Sequence, residues 1–259
     1  MDSDLKEIMK NERKIAIDTE TTGLDPKTNS LLSIGAVDLA TGDTFKMDCR
    51  LQEGRQIDAK ALEVNGFTLE EINDKSKPTA EEAVSKLEEF IKNHNAEVLF
   101  GYNFAFDISF LYYAKGSFSP APKALDLVPV MMNEVLPHKE LYPLSEKVKN
   151  EHRYPSLNAS LNYFNSPDEM RPHISLTGAL ESAELYTLMK YHRHFIDSIG
   201  TPIPKIYFDD GFKIDTDKYI KDISEFVRKW FWWHYQKRKK KIGRLKYFWI
   251  ILQKNIMQI

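Results

Sequence analysis

Apolar positions in the first two hundred residues fall into short runs and helical stripes that alternate along the chain. Lys14-Ile-Ala-Ile-Asp18 is a short apolar run closing on polar residues, the pattern of a strand. Leu31 to Leu39 and Thr44 to Arg50 read as two further strands, and Ala40-Thr-Gly-Asp43 between them is a hairpin signal. Across 80–93, Ala83, Val84, Leu87, Phe90 and Ile91 recur at the spacing of an amphipathic helix. Val98-Leu-Phe-Gly101 predicts another strand, followed by a helix over about 106–114. A short polar helix is expected over 2–11, a short one over 157–164, and a longer one from Thr177 to about Ile196. The apolar side of that last helix carries Leu180, Ala183, Leu185, Leu188 and Met189. An early antiparallel meander followed by alternating β and α predicts an α/β fold, a mixed sheet with helices packed on it.

Composition adds exclusions. At 42% hydrophobic and 29% charged residues the chain is ordinary globular protein, so wholesale disorder, collagen and coiled coil are ruled out. One cysteine, Cys49, excludes a disulfide framework or a cysteine-rich zinc site and fits a reducing compartment. No apolar run approaches the roughly 18 residues that cross a bilayer. The first residues lack the basic-then-apolar order of a secretion signal, so a cytoplasmic location is expected. Charge divides the chain. Residues 201–259 hold 14 Lys and Arg against 6 Asp and Glu, whereas residues 1–200 hold 22 against 32. All four tryptophans (Trp230, Trp232, Trp233, Trp249) lie in the last thirty residues. We therefore expect a domain over 1–200 and a basic, Trp-rich C-terminal extension over 201–259, divided near Gly200-Thr-Pro-Ile-Pro204.

Candidate chemistry begins on the first strand. Asp18 and Glu20 are two apart, so on a strand they point to one face, and adjacent carboxylates repel unless a cation lies between them. Hard divalent cations prefer such oxygens, which makes the pair a metal cradle or else a solvated strand end. Asp107 follows an apolar strand at a helix start, where a carboxylate is also favoured by the helix dipole alone. His173 lies on a loop entering the last helix, either solvated or acting as a general base.

Taken in order, Asp18-x-Glu20-Thr-Thr-Gly23, Asn103-x-x-Phe106-Asp107, Ser156-Leu-Asn and His173 resemble the exonuclease motifs of the DEDD superfamily, DnaQ-like, His subtype. Proofreading subunits of bacterial replicative polymerases and RNase T are of this type. The resemblance covers about 12–192. It implies a ribonuclease H-like fold and 3′→5′ hydrolysis at nucleic acid ends, with two Mg2+ or Mn2+ ions flanking the scissile phosphate. By the resemblance, Asp18 bridges both metals, Glu20 holds one near the terminal 3′-OH, Asp107 binds metal through water, and His173 is the general base. Thr21 and Leu24 hold the terminal nucleotide, Asn103 orders the loop around the site, and Asp126 is structural. The implied partners are a single-stranded DNA or RNA 3′ end and a polymerase or other protein.

One position departs from the pattern. The family places an aspartate five residues after the histidine; here His173-Ile-Ser-Leu-Thr-Gly178 puts glycine there. Three carboxylates leave two divalent cations one charge short of balance, so one metal is expected to bind weakly. Glycine costs about 1 kcal/mol against alanine inside a helix, a cost softened if Thr177 caps the helix and Gly178 is its first residue. The chain is then a silent nucleic-acid-binding or interaction module, an impaired enzyme, or an enzyme with a substitute ligand. Glu181 is the best substitute, one turn on, with helical side chains leaning toward the N-terminus. In the tail, Phe226 to Tyr235 and Gln236-Lys-Arg-Lys-Lys-Lys241 mix aromatic and basic residues. That suits single-stranded nucleic acid; a solvated charge run or docking to a membrane surface or protein are the other readings.

Overall fold

A computed structural model of the chain describes residues 3–138, 154–164, 174–196 and 214–226. Its centre is a six-stranded mixed sheet in the order β3-β2-β1-β4-β5-β6. The strands are β1 (Lys14–Thr21), β2 (Leu31–Asp38), β3 (Thr44–Asp48), β4 (Val98–Gly101), β5 (Lys123–Asp126) and β6 (Lys221–Asp222). β1, β2 and β3 form the expected antiparallel meander; β4 and β5 continue it in parallel, and β6 closes the edge antiparallel.

Alternation along β1 sorts its side chains between two helical layers. Ile15 and Ile17 face a core built with α4 (Ala80–Asn93) and α5 (Ala105–Lys115). Ala16 faces the opposite core, with α7 (Leu157–Tyr163) and α8 (Ser175–Tyr191). The remaining α-helices among the described residues are α1 (Ser3–Met9), α2 (Ala59–Asn65), α3 (Leu69–Asn73) and α6 (Leu127–Val130). α3 and α4 both start on a capping box, Thr68 with Glu71 and Thr79 with Glu82, which satisfies two otherwise unpaired N–H groups at each end. The boxes were available to sequence reasoning, which nevertheless left 59–73 without helices.

Two expectations about α8 are corrected. The helix starts at Ser175, so Thr177 does not cap it and Gly178 is its fourth residue. The reason lies in β2: a side chain at Gly35 would come within 2.2 Å of the Ser175 backbone, so glycine there lets the first turn of α8 lie directly on the sheet. The Ser33 and Ser175 hydroxyls meet at 2.7 Å and pin that turn. Nor is α8 apolar on one side only. From Glu181 to Met189 every residue is buried, because the sheet, α7 and residues 192–196 surround it.

Residues 214–226, on the extension side of the charge boundary, pack on the body. β6 pairs with β5, and Ile214 and Ile223 enter the two cores. A buried ionic cluster ties them down. Glu12 accepts from Lys190 Nζ at 2.9 Å and also from Lys14 and Tyr191, while Lys190 meets Asp217 at 3.0 Å. Burial pushes Glu12 up, but the hydrogen bonds from Lys14, Tyr191 and Lys190 outweigh it and hold the carboxyl at about 2. A carboxylate lowered in the folded state stabilises above its unfolded value, and that contribution is lost as pH falls through the folded one. Glu12→Gln is therefore expected to cost about 2 kcal/mol near neutrality, because it leaves Lys14 short of its buried partner. The loss should shrink between roughly pH 4.5 and pH 2 in urea unfolding; a pH-independent difference would exclude the linkage. The basic aromatic stretch beyond Phe226, with all four tryptophans, lies outside the described residues.

Candidate active site

The face of β1 that carries Ala16 continues, two residues at a time, to Asp18 and Glu20, beyond the last register with β4 at Ala16. The strand runs to Thr21 with a register shift at Glu20/Thr21, so the acidic pair lies inside it rather than closing it. There Asp18 and Glu20 open into a cavity of about 350 Å³, whose other walls come from Tyr102, α7 and the first turns of α8. Ser156, Asn158, Thr177, Gly178 and Glu181 line it. It lies beyond the carboxyl ends of parallel strands, where α/β sheets usually hold their ligands.

Asp107 reaches the same neighbourhood from α5. It is 3% exposed, and its Oδ1 accepts from the Thr19 backbone N–H at 3.0 Å and the Thr19 hydroxyl at 2.7 Å. The turn that delivers it contains Asn103 at φ 58°, a left-handed conformation that asparagine tolerates better than most residues. Asn103 N–H donates to Asp126 Oδ1 at 3.0 Å, and the same oxygen accepts from Val128 N–H at 3.0 Å, capping α6. Asp126 thus fixes the turn without entering the cavity.

The electrostatics are those of crowded negative charge. Burial, then Asp107, Glu20 and Glu181, hold the Asp18 carboxyl well above the usual carboxylate range. Burial likewise pushes Asp107 up to about 8, against the hydrogen bonds from Thr19. Three carboxylates line the cavity, and no Lys, Arg or His among the described residues does. In charge and in oxygen chemistry this donor set fits a hard divalent cation. Among the described residues no three His, Cys, Asp or Glu side chains close around a single point, so the carboxylates share a cavity rather than form a finished cage.

Gly178 stands against this cluster. A Cβ there would lie 2.5 Å from the Asp18 carboxyl carbon and from its Oδ2. The absent side chain is therefore space that the end of the Asp18 side chain occupies, at a position where glycine itself is a poor helix former.

The other expected residues are more dispersed. Thr21 is buried, its hydroxyl donating to Gly23 O at 2.7 Å and its carbonyl accepting from Asn65 Nδ2 at 3.0 Å. Leu24 is 78% exposed and does not line the cavity. His173 lies outside the described residues. Sequence reasoning missed Tyr102, whose hydroxyl bonds Pro155 O and meets Ser160 Oγ at 2.9 Å, so that it forms a wall with α7. Its only signal was its place beside Asn103. A larger cavity of about 780 Å³, near Arg50, Ile72, Lys75 and Thr79, mixes both charges and gathers none of these residues.

Comparison with known proteins bears on this arrangement. The profile of the RNase_T family, described as Exonuclease, matches residues 15–186. The epsilon subunit of DNA polymerase III from Buchnera aphidicola subsp. Baizongia pistaciae is 33% identical over 113 residues, 40% of this chain and 43% of that one. A PolC-type DNA polymerase III from Clostridium perfringens is 31% identical over 140 residues, 54% of this chain and 9% of that one. E. coli Exonuclease I, solved with a 5cy-dT13 oligonucleotide, shares the fold at a TM-score of 0.56 and 16% identity, over 75% of this chain and 42% of that one. The matches thus span less than half the length of these relatives. The six-stranded mixed sheet flanked by helices is the ribonuclease H-like sheet expected from the motifs.

Proposed function

Because the chain belongs to the exonuclease family, we propose that it hydrolyses phosphodiester bonds at nucleic acid 3′ ends with the help of Mg2+ or Mn2+. The observation that carries this reading is the acidic cavity where Asp18 and Glu20 share one face of β1, with no cationic side chain among the described residues that line it. When bound, a pair of divalent ions supplies charge stabilisation to the attacking and leaving oxygens. Asp18 and Glu20 hold these ions, and Asp107, braced by Thr19, acts from behind. His173 accepts the proton of the attacking water. Thr21 and the exposed Leu24 hold the terminal nucleotide, and Asn103 keeps the α5 turn in place.

The substrate we assign is a single-stranded DNA or RNA 3′ end. Exonuclease I structures with dT13 and dA16 support the single-stranded form. Similarity to an epsilon subunit supports a polymerase partner. In this reading residues 1–200 are the nuclease domain, residues 214–226 are the docked part of the extension, and the basic aromatic stretch beyond them contacts the strand. Among the described residues no helix is long and apolar enough to cross a membrane.

With Mn2+, a 5′-labelled single-stranded oligonucleotide is expected to give a ladder shortening from its 3′ end, and chelator should stop it. Gly178, standing where the family pattern has a carboxylate, favours a second reading: a silent module that binds the strand. Retained binding with no ladder at any metal concentration would select it.

A further inference from the structure

We propose that Glu181 replaces the fourth carboxylate of the site, holding the second divalent cation from the helical turn after the one where the family pattern puts an aspartate. The inference rests on the metal-dependent nuclease reading. It starts from two linked features of α8. Gly178 leaves open the space into which the Asp18 carboxyl folds, 2.5 Å from where a Cβ would be. Glu181 is three residues on, hence on the same helical face, and its side chain leans back toward that turn.

Glu181 and Glu184 sit in different surroundings on α8. Glu184, on the next turn, is equally buried, but its carboxylate is satisfied by His194 Nδ1 at 2.5 Å and by the backbone N–H groups of Phe195 at 2.6 Å and Ile196 at 3.0 Å. That is a helix-end brace. Glu181 is 7% exposed and lines the cavity together with Asp18 and Glu20. Keeping a buried carboxylate beside others is costly unless a cation joins them. Charge balance agrees: Asp18, Glu20 and Asp107 bring three negative charges to two divalent ions, and Glu181 brings the fourth. Glycine at 178 and glutamate at 181 are then one coupled exchange, the carboxylate moving one turn along α8 while the Asp18 carboxyl takes the space at 178.

Mn2+ titration of the full chain followed by electron paramagnetic resonance, with no nucleic acid present, tests this independently of turnover. The wild type is expected to take up two ions and Asp18→Asn neither. Glu181→Gln should keep one and weaken the other at least about tenfold, since even residues behind a ligand alter affinity by that much. Gly178→Asp combined with Glu181→Gln should recover the second ion. Should Glu181→Gln not fold, Glu181→Asp keeps the charge and shortens the reach: a weakened second ion supports the assignment, and an unchanged one overturns it. Wild-type titration by Glu181→Gln, or uptake of a single ion by the wild type, overturns it while leaving the nuclease reading standing. Two ions still bound by Asp18→Asn would remove the nuclease reading itself.

Discussion

Asp18→Asn is expected to lower 3′-end hydrolysis about a thousandfold and, in chelator, to raise the melting temperature of the same protein. The activity loss follows from the proposed bridging role. Stabilising transition-state charge through bound metal amounts to several kcal/mol, and each tenfold in rate is about 1.4 kcal/mol. The gain in stability follows from the site without its ions. Burial and the charges of Asp107, Glu20 and Glu181 all oppose ionisation of Asp18. A carboxyl raised in the folded state contributes stability at low pH that is lost as pH rises through its folded value. The asparagine variant should therefore gain more over the wild type at pH 8 than at pH 5. Equal melting temperatures in chelator at both values would mean that the repulsion is not felt, and unimpaired hydrolysis would remove Asp18 from the mechanism.

Gly178→Asp is expected to reverse sign with metal. In chelator it should lose about 3 kcal/mol, because the new Cβ meets the Asp18 carboxyl and a further charge enters a buried acidic cluster. For a chain of this size that is roughly 6 °C in melting temperature. The better helix propensity of aspartate over glycine returns only about half a kcal/mol. The atoms that must move are the end of one side chain rather than backbone, so the fold should survive. Saturating Mn2+ should then restore the loss and raise turnover about tenfold, equivalent to about 1.4 kcal/mol. The gain stays at that level because Glu181 already supplies one carboxylate. No metal-dependent recovery would show that the cavity lacks more than the side chain at 178.

β1 to β4 were legible because they are short runs and the β2–β3 hairpin carries its own turn signal, whereas the four residues of β5 were not read as a strand. α4 was legible because one face of it remains wet, so its stripe repeats cleanly. α8 was legible as a helix, but its start and its enclosure were not, and for a physical reason. A helix enclosed on most sides has no wet face to mark its period, and its start is set by contact with Gly35 rather than by a cap of its own. The late return of the chain to the sheet was equally hidden: Lys221 and Asp222 show no strand pattern and pair only because β5 presents a free edge to them.

By itself the sequence determined where the motif residues stand: carboxylates at 18, 20 and 107, a histidine at 173, and a glycine where the family pattern has a fourth carboxylate. Such identities are properties of motif spacing and survive without coordinates. Only the tertiary structure decided what stands against that glycine, and whether Glu181 shares a cavity with the acidic pair. Gly178 lies against the Asp18 carboxyl, and Glu181 shares their cavity while Glu184, one turn away, braces the helix end. The sequence singles out Glu181 by its place one turn after Gly178, but the distance to partners on other strands and loops, which only folding sets, gives Glu181 and Glu184 different surroundings.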